Sequence, residues 1–184
     1  IEPMRGRLIG LGDGNHTWEF VDGETSEQKL ARAMDVPHLG VCSVVNIIVS
    51  TPNGSQCSFL YAQHHGKAGS GHTVGGPYNT VANWAKSFSG VTIFVMGDDH
   101  SRGFVRGKPM LEFFSDRRTG KLLPRTVPRF YCRSGSFKKI YTPGECSYEI
   151  DNGYGPTDIG ALKFRIKMTR SNSRGTHLEF EGVV

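Results

Sequence analysis

Three apolar runs in the first hundred residues each end in a cluster of Asn, His and Asp. Residues 7–11 run into Gly12-Asp13-Gly14-Asn15-His16. Residues 58–62 run into His64 and His65, and residues 91–96 into Gly97-Asp98-Asp99-His100. Each run reads as a strand from its apolar, branched content. Ligand groups at the carboxyl ends of strands are where α/β sheets build sites. Three such clusters on successive strands therefore point to one place of convergence.

The intervening elements suit that arrangement. Thr25 followed three residues later by Gln28 is a capping-box start. Leu30, Ala31, Ala33 and Met34 make an apolar stripe, and Pro37 stops the helix. Residues 41–49 are apolar and branched, which predicts a buried strand. Pro52-Asn53-Gly54-Ser55 is a turn, so this strand and 58–62 form a hairpin. Residues 63–77 are glycine-rich and carry His64, His65 and His72. Val81, Trp84, Ala85 and Phe88 then have helical spacing, with Gly90 past the end. Residues 110–114, 129–132, 162–168 and 177–181 are further short strands. Strands alternate with helices early and dominate late. The fold class is α+β with an α/β beginning, in one domain spanning 1–184, with no repeat and no linker-like break.

Composition agrees. A 184-residue chain with 37% hydrophobic residues and 24 glycines suits a loop-rich domain with a core, not a disordered chain. No apolar run approaches the roughly 18–20 residues of a membrane span, and the start lacks the apolar stretch of a secretory signal. The net charge of +5 suits an anionic partner such as nucleic acid or a phosphate ester. It equally suits a soluble domain with a modest basic excess. Cys42, Cys57, Cys132 and Cys146 contain no Cys-x-x-Cys pair, so a zinc ribbon or redox motif is unsupported. The apolar surroundings of Cys42 and Cys57 predict buried free thiols in a reducing, cytoplasmic compartment.

Asn, His and Asp are nitrogen and oxygen donors suited to Mn, Fe, Zn, Ni or Mg. Two such metals about 3.5–4 Å apart hold a phosphoryl group and lower the pKa of a bridging water. Each cluster also has a plain structural reading, because Gly, Asn and Asp are ordinary turn and cap residues. Their joint occurrence in this order is what favours a site. His64 precedes His65 and points to the other side of its strand by the period of two. His38 and His177 have no motif around them. Trp18 and Trp84 read as packing residues rather than base-stacking platforms. Lys138 and Lys139 read as solvated.

In their order, these clusters resemble the calcineurin-like metallophosphoesterase superfamily, in particular its small phage- and prophage-type members. That family carries Asp-x-His, Gly-Asp-x-x-Asp, Gly-Asn-His-[Glu/Asp], a lone His after a strand, and Gly-His-x-His. Gly14-Asn15-His16 matches the third motif and His65-Gly66 the fourth, and Gly97-Asp98-Asp99-His100 looks like the fifth. Ser134-Gly135-Ser136-Phe137, with Tyr141, Gly144, Ser147-Tyr148 and residues 153–157, is also similar to the phage-type members. The resemblance implies a β-sandwich flanked by helices and hydrolysis of a phosphomonoester or phosphodiester. It implies that Asn15, His65 and Asp98 bind one divalent metal and His100 the other. His16 would sit beside the scissile phosphate as the catalytic residue, protonating the leaving oxygen or stabilising charge. Arg102 and His72 would contact substrate.

Two departures follow from the same comparison. Asp98 stands where the family has His, adding negative charge to the site. The first two motifs are absent, because only about a dozen residues precede Asn15 and none form Asp-x-His. The resemblance therefore covers motifs three to five, about half of a two-metal site. Since the chain begins at Ile1 and not Met, the expectation is that the first strands and ligands lie elsewhere, upstream or on a partner. A sheet missing those strands has an exposed edge. That predicts a complementing chain or homo-oligomer as partner, beside a phosphate-ester or nucleic-acid substrate and no membrane. The rival expectation is a catalytically degenerate structural or nucleic-acid-associated protein on the same fold, including a virion protein.

Overall fold

The computed structural model describes residues 4, 6–66, 73–116, 118–137, 141, 144, 148–151, 159–171 and 175–183. His72, Cys146, Lys138, Lys139 and residues 152–158 lie outside them. The chain is mixed α and β with strands in the majority, as the strand count of the sequence predicts. Among the described residues no helix is long and apolar enough to cross a membrane.

Two strand–helix–strand units open the chain. In the first, β1 (Leu11–Gly12) leads through α1 (Ser26–Met34) to β2 (His38–Gly40), which pairs parallel to β1. Thr25 caps α1: its side chain accepts from the Gln28 N–H while the Gln28 side chain accepts from the Thr25 N–H. Two otherwise orphaned donors are satisfied. The helix ends at Asp35, in the left-handed conformation, two residues before Pro37. Ala31 and Met34 are its buried stripe.

The strand expected over 7–11 is only Leu11–Gly12. Its partner β2 is three residues long, bounded by Pro37, which has no N–H, and by Gly40 at φ 65°. Only two rungs are available.

β3 (Cys42–Ser50) and β4 (Gln56–His64) form an antiparallel hairpin in unbroken register from Cys42↔His64 to Ser50↔Gln56. Its turn holds Gly54 at φ 83°. The second strand–helix–strand unit is β4, α2 (Gly76–Ala85) and β5 (Val91–Met96), with β4 and β5 parallel. After β5 come β6 (Arg102–Arg106), the hairpin β7 (Met110–Ser115) and β8 (Leu122–Val127), and β9 (Phe130–Ser134). A short α3 (Tyr148–Asp151) precedes the long hairpin β10 (Lys163–Ser171) and β11 (Gly175–Val183). The central sheet runs β3-β4-β5-β9-β6. β5 and β9 are parallel and β9 and β6 antiparallel. β6 and β8, which low apolar content hid, complete the strand set.

The central sheet is covered on both faces. On one, Val81, Ala85, Trp84 and Phe88 of α2 and its C-terminal extension pack on Ala62, Val91, Phe94, Met96 and Tyr131. On the other, Phe164, Ile166, Leu178 and Phe180 of the long hairpin pack on Phe59, Ile93, Phe130 and Cys132. Phe130 meets Phe164 and Phe180 ring to ring at 5.4 and 5.9 Å. The hairpin's outer face is laced with polar pairs such as Arg165–Glu181 at 2.7 Å, the alternation of a sheet solvated on one side.

Three expectations are corrected by this layering. β3 is an edge strand, not a buried one. Its residues alternate between half-buried and exposed. Ser43, Val45, Ile47 and Val49 face inward, while Cys42, Val44 and Ile48 face out. Helix α2 lies mainly over β5 and β9. Cys42 is therefore exposed and Cys57 half-exposed, and only Cys132 is buried; all three are free thiols. Trp18 lies at the surface, whereas Trp84 packs against Phe88 and Phe94.

Burial of Cys132 and Tyr61 makes the fold sensitive to alkali. Desolvation pushes the Cys132 thiol up. Desolvation first, and Cys132 second, push the Tyr61 phenol up to about 12 from 10.0. Both groups hold their protons longer folded than unfolded, so stability falls as pH rises through the unfolded-state values. Urea unfolding should be flat from pH 7 to 8.5 and then lose about 1.4 kcal/mol per pH unit for each group titrating only in the unfolded chain. The fall starts near pH 9 with Cys132. A flat profile to pH 11 would contradict it.

Candidate functional site

The carboxyl ends of β1, β4 and β5 lie together. Backbone bonds set this geometry: Leu11 N–H donates to Pro37 O and Asp13 N–H to Gly40 O, each at 3.0 Å. His65 N–H donates to Val41 O at 2.8 Å and Gly97 N–H to His64 O at 3.3 Å. The loops after β4 and β5 pass so closely that two glycines are required. A Cβ on Gly66 (φ 109°) would stand 2.5 Å from Gly97 O, and one on Gly97 2.9 Å from His65 O. Gly12 is pressed against the Gln63 side chain. The glycines of the His-Gly and Gly-Asp signatures are thus packing requirements of this strand crossing.

Three of the expected donors meet there. Asn15 Nδ2 donates to Asp98 Oδ1 at 3.4 Å, across 83 residues. His65 Nε2 lies 3.5 Å from the same oxygen. His65 and Asp98 side chains are 20% and 15% exposed, so the contact is largely shielded from water. His65 Nε2 is itself buried and has no hydrogen-bond partner. A buried, unsatisfied imidazole nitrogen costs about 1–3 kcal/mol, and a cation accepting its lone pair would remove that cost.

The Gly97–His100 loop is strained. Among the described residues three non-glycines have positive φ, and two are Asp98 at 69° and His100 at 58°. Each such backbone costs on the order of 1–3 kcal/mol and persists where its surroundings over-determine it. Asp99 Oδ1 accepts from Ser101 N–H at 3.0 Å. Gly135 N–H reaches Ser101 O at 2.9 Å.

The remaining candidates stand apart from the trio. His16 is exposed and His100 half-buried. Neither hydrogen-bonds or ion-pairs with Asn15, His65 or Asp98. Arg102 opens β6, and its side chain runs between Gly135 and Gly160, so close that a Cβ on either glycine would touch it. His64 faces α2, with its ring 5.5 Å from Trp84 and its Nδ1 accepting from Gly66 N–H at 2.8 Å. His65 faces the other way, as the strand period predicts.

Sequence reading missed two contributors. His38 Nε2 lies 2.6 Å from Asp13 Oδ1, and this pair staples the Asn15 loop to β2. No motif marks His38, and only the parallel pairing Leu11↔His38 brings it there. Arg133 is fully buried beneath the Gly97–His100 loop, where nothing in the sequence around it signals a site.

No known family model, curated protein or solved structure matches this chain. The site therefore has to be judged on its own chemistry. Among the described residues, no group of three or more His, Cys, Asp and Glu is disposed to hold a metal; an amide completes this trio instead. Imidazole, carboxylate and amide oxygen suit a hard or borderline divalent cation such as Mn, Mg or Zn. The orphaned His65 nitrogen makes the donor set fit one such ion, provided that the Asn15 amide turns its oxygen inward.

Proposed function

We propose that this chain carries part of the site of a metal-dependent phosphoesterase of calcineurin-like, phage type, acting on a phosphomonoester or phosphodiester. The observation that carries the reading is the convergence of Asn15 and His65 from two strand ends on Asp98 Oδ1, at 3.4 and 3.5 Å, with the buried His65 Nε2 making no hydrogen bond. His65 Nε2, Asp98 Oδ1 and the Asn15 amide oxygen would hold one divalent cation. Bound there, the cation would polarise a phosphoryl oxygen and lower the pKa of attached water. In this reading His16, next to Asn15 and open to solvent, would protonate a leaving oxygen. Arg102 and His72 are substrate contacts in this reading, and His100 serves a second cation. In this reading the central sheet and the long hairpin packed on it would be part of a sandwich flanked by helices.

The remaining ligands would come from outside this chain, upstream or on a complementing chain or second copy. The outward residues of β3, among them Val44 and Ile48 at 45% and 60% exposure, are the face such a partner would cover. The site of action is then the cytoplasm of a host cell, or the virion.

Metal analysis of protein dialysed against Mn²⁺, followed by an aryl phosphodiester assay with the complementing segment supplied, tests the reading. About one tightly held ion per chain and metal-dependent turnover are expected. Protein that retains no ion, or a complemented site without turnover, would sink it.

A second reading, a catalytically silent nucleic-acid-associated or virion protein, has its own support. Between Arg102 and Arg125 the sequence has seven Lys and Arg against Glu112 and Asp116. On the β7–β8 hairpin in this stretch, Leu111, Phe113 and Leu122 are 61–69% exposed on one charge-free face. Binding to DNA or RNA that weakens steeply with salt, together with absent metal, would favour it.

A further inference from the structure

Among the described residues Arg133 is the largest fully buried side chain, and it sits directly under the loop that carries Asp98. Its Nη1 donates to Gly97 O at 2.8 Å. Its Nε donates to Pro77 O at 3.0 Å, with the Asp99 carboxylate 3.0 Å from the same nitrogen. One guanidinium thus ties the first turn of α2, the end of β5 and the site loop into one body. The fork geometry of Arg, with donors fixed in a plane, is what lets one side chain span three backbone segments.

The electrostatics show that this burial is not incidental. A cation is disfavoured beside the N-terminal end of a helix, and burial lowers the Arg133 pKa from its ordinary value. Asp99, Asp98 and Tyr78 oppose that shift. The titratable groups facing Arg133 are therefore the two carboxylates of the site loop and the neutral phenol of Tyr78 on α2. Arg133 is held in place by the loop it restrains. Its Nη2 remains buried without a hydrogen-bond partner, a cost tolerated in exchange for the other contacts. Gly135 N–H to Ser101 O adds a second brace from the same segment.

We infer that Arg133 is the positioning residue of the site: by clamping Gly97 and Asp99 it fixes the left-handed backbone of Asp98 and so aims its carboxylate at His65 and Asn15. It touches none of the donor atoms of the trio through a hydrogen bond of its own and acts only through the loop. The inference rests on the reading of the trio as metal donors for its consequence, whereas the positioning itself can be measured without metal.

The test compares wild type with Arg133→Gln and Arg133→Lys, and with Phe164→Leu as a destabilised control on the opposite face of the sheet. Amide hydrogen exchange of the metal-free proteins reads the loop. Co²⁺ alone, through its affinity and visible absorption spectrum, reads the site. In Arg133→Gln, exchange at residues 98–101 is expected to rise roughly tenfold or more above the change elsewhere. Co²⁺ affinity should fall by about 10–100-fold with an altered spectrum, the scale seen when a ligand loses its support. Arg133→Lys, which keeps the charge but not the fork, should recover part of both. Phe164→Leu should change neither selectively.

Loop exchange unchanged in Arg133→Gln would overturn the inference whatever the metal does. So would wild-type affinity and spectrum in that variant. If Arg133→Gln does not fold, Arg133→Lys carries the same comparison against wild type. Wild type that binds no Co²⁺, with a loop selectively loosened in the variant, would remove the metal reading and leave the positioning role supported.

Discussion

Replacing Phe94 with alanine is expected to destabilise the protein by about 3–5 kcal/mol, the largest effect of any single truncation considered. Phe94 is fully buried on β5. Its ring packs against Trp84 at 5.6 Å, Phe88 at 6.3 Å and Tyr131 at 6.0 Å. The Arg129 guanidinium lies 5.4 Å above it. That arginine also donates to the carbonyls of Ala85 and Phe88 at the C-terminal end of α2, at 3.5 and 2.5 Å. Truncation would leave a cavity and remove the ring that shields a buried cation, so relaxation cannot recover the loss. For a domain of this size the thermal midpoint should drop by roughly 6–20 °C. Ile48→Ala, at a position 60% exposed, should stay within about 0.5 kcal/mol. Equilibrium urea unfolding checks both, and a Phe94→Ala cost below that of Ile48→Ala would mean that α2 does not pack as described.

Replacing His65 with alanine is expected to abolish divalent-cation binding, weakening it by more than about 100-fold, since loss of a supporting residue alone costs 10–100-fold. The same change should stabilise the metal-free fold or leave it unaltered, because it deletes a buried nitrogen that makes no hydrogen bond and meets the Asp98 carboxylate only at 3.5 Å. That opposite pair of signs is diagnostic: a merely structural histidine would lose stability and leave metal binding alone. His64→Ala is the paired control. It removes the contact with Trp84 and the bond from Gly66 N–H, so it should cost stability and spare affinity. Calorimetric titration with Mn²⁺, alongside thermal unfolding of the metal-free proteins, reads both quantities. Equal Mn²⁺ affinity in wild type and His65→Ala would exclude the trio as a metal site.

The elements that the sequence predicts well are those whose signal is local. The Thr25 cap, the turn at Gly54, the strand Val91–Met96 and the α2 stripe each depend on residues within one turn or one alternation. The errors come from neighbours far away in sequence. The composition of β3 suits a doubly covered strand, yet α2 is held over β5 and β9 by Arg129 and Arg133. β3 is thereby left at an edge with Cys42 exposed. Arg129, Tyr131 and Arg133 share one face of a strand by the period of two. Their pattern gives no hint that the two cations reach opposite ends of the same helix. The strand over 7–11 shrank because β2, its only partner, is confined between a proline and a left-handed glycine.

For the site, the order of the clusters already indicates which segments belong together, because each follows a strand, and the carboxyl ends of parallel strands such as β4 and β5 lie on the same side. That ground gives the three clusters, and the resemblance to the metallophosphoesterase motifs singles out Asn15, His65 and Asp98 within them. Their meeting at 3.4–3.5 Å, the left-handed backbone of Asp98, the His38–Asp13 staple and the clamp from Arg133 were legible in neither. Residue type and local spacing determine which chemistry a chain can hold and which elements form. Parallel strand pairing, side-chain contacts across 25 to 83 residues, and the burial of two arginines under a helix decide where that chemistry is assembled. Those choices depend on long-range contacts whose free energy is realised only when the whole sheet is closed.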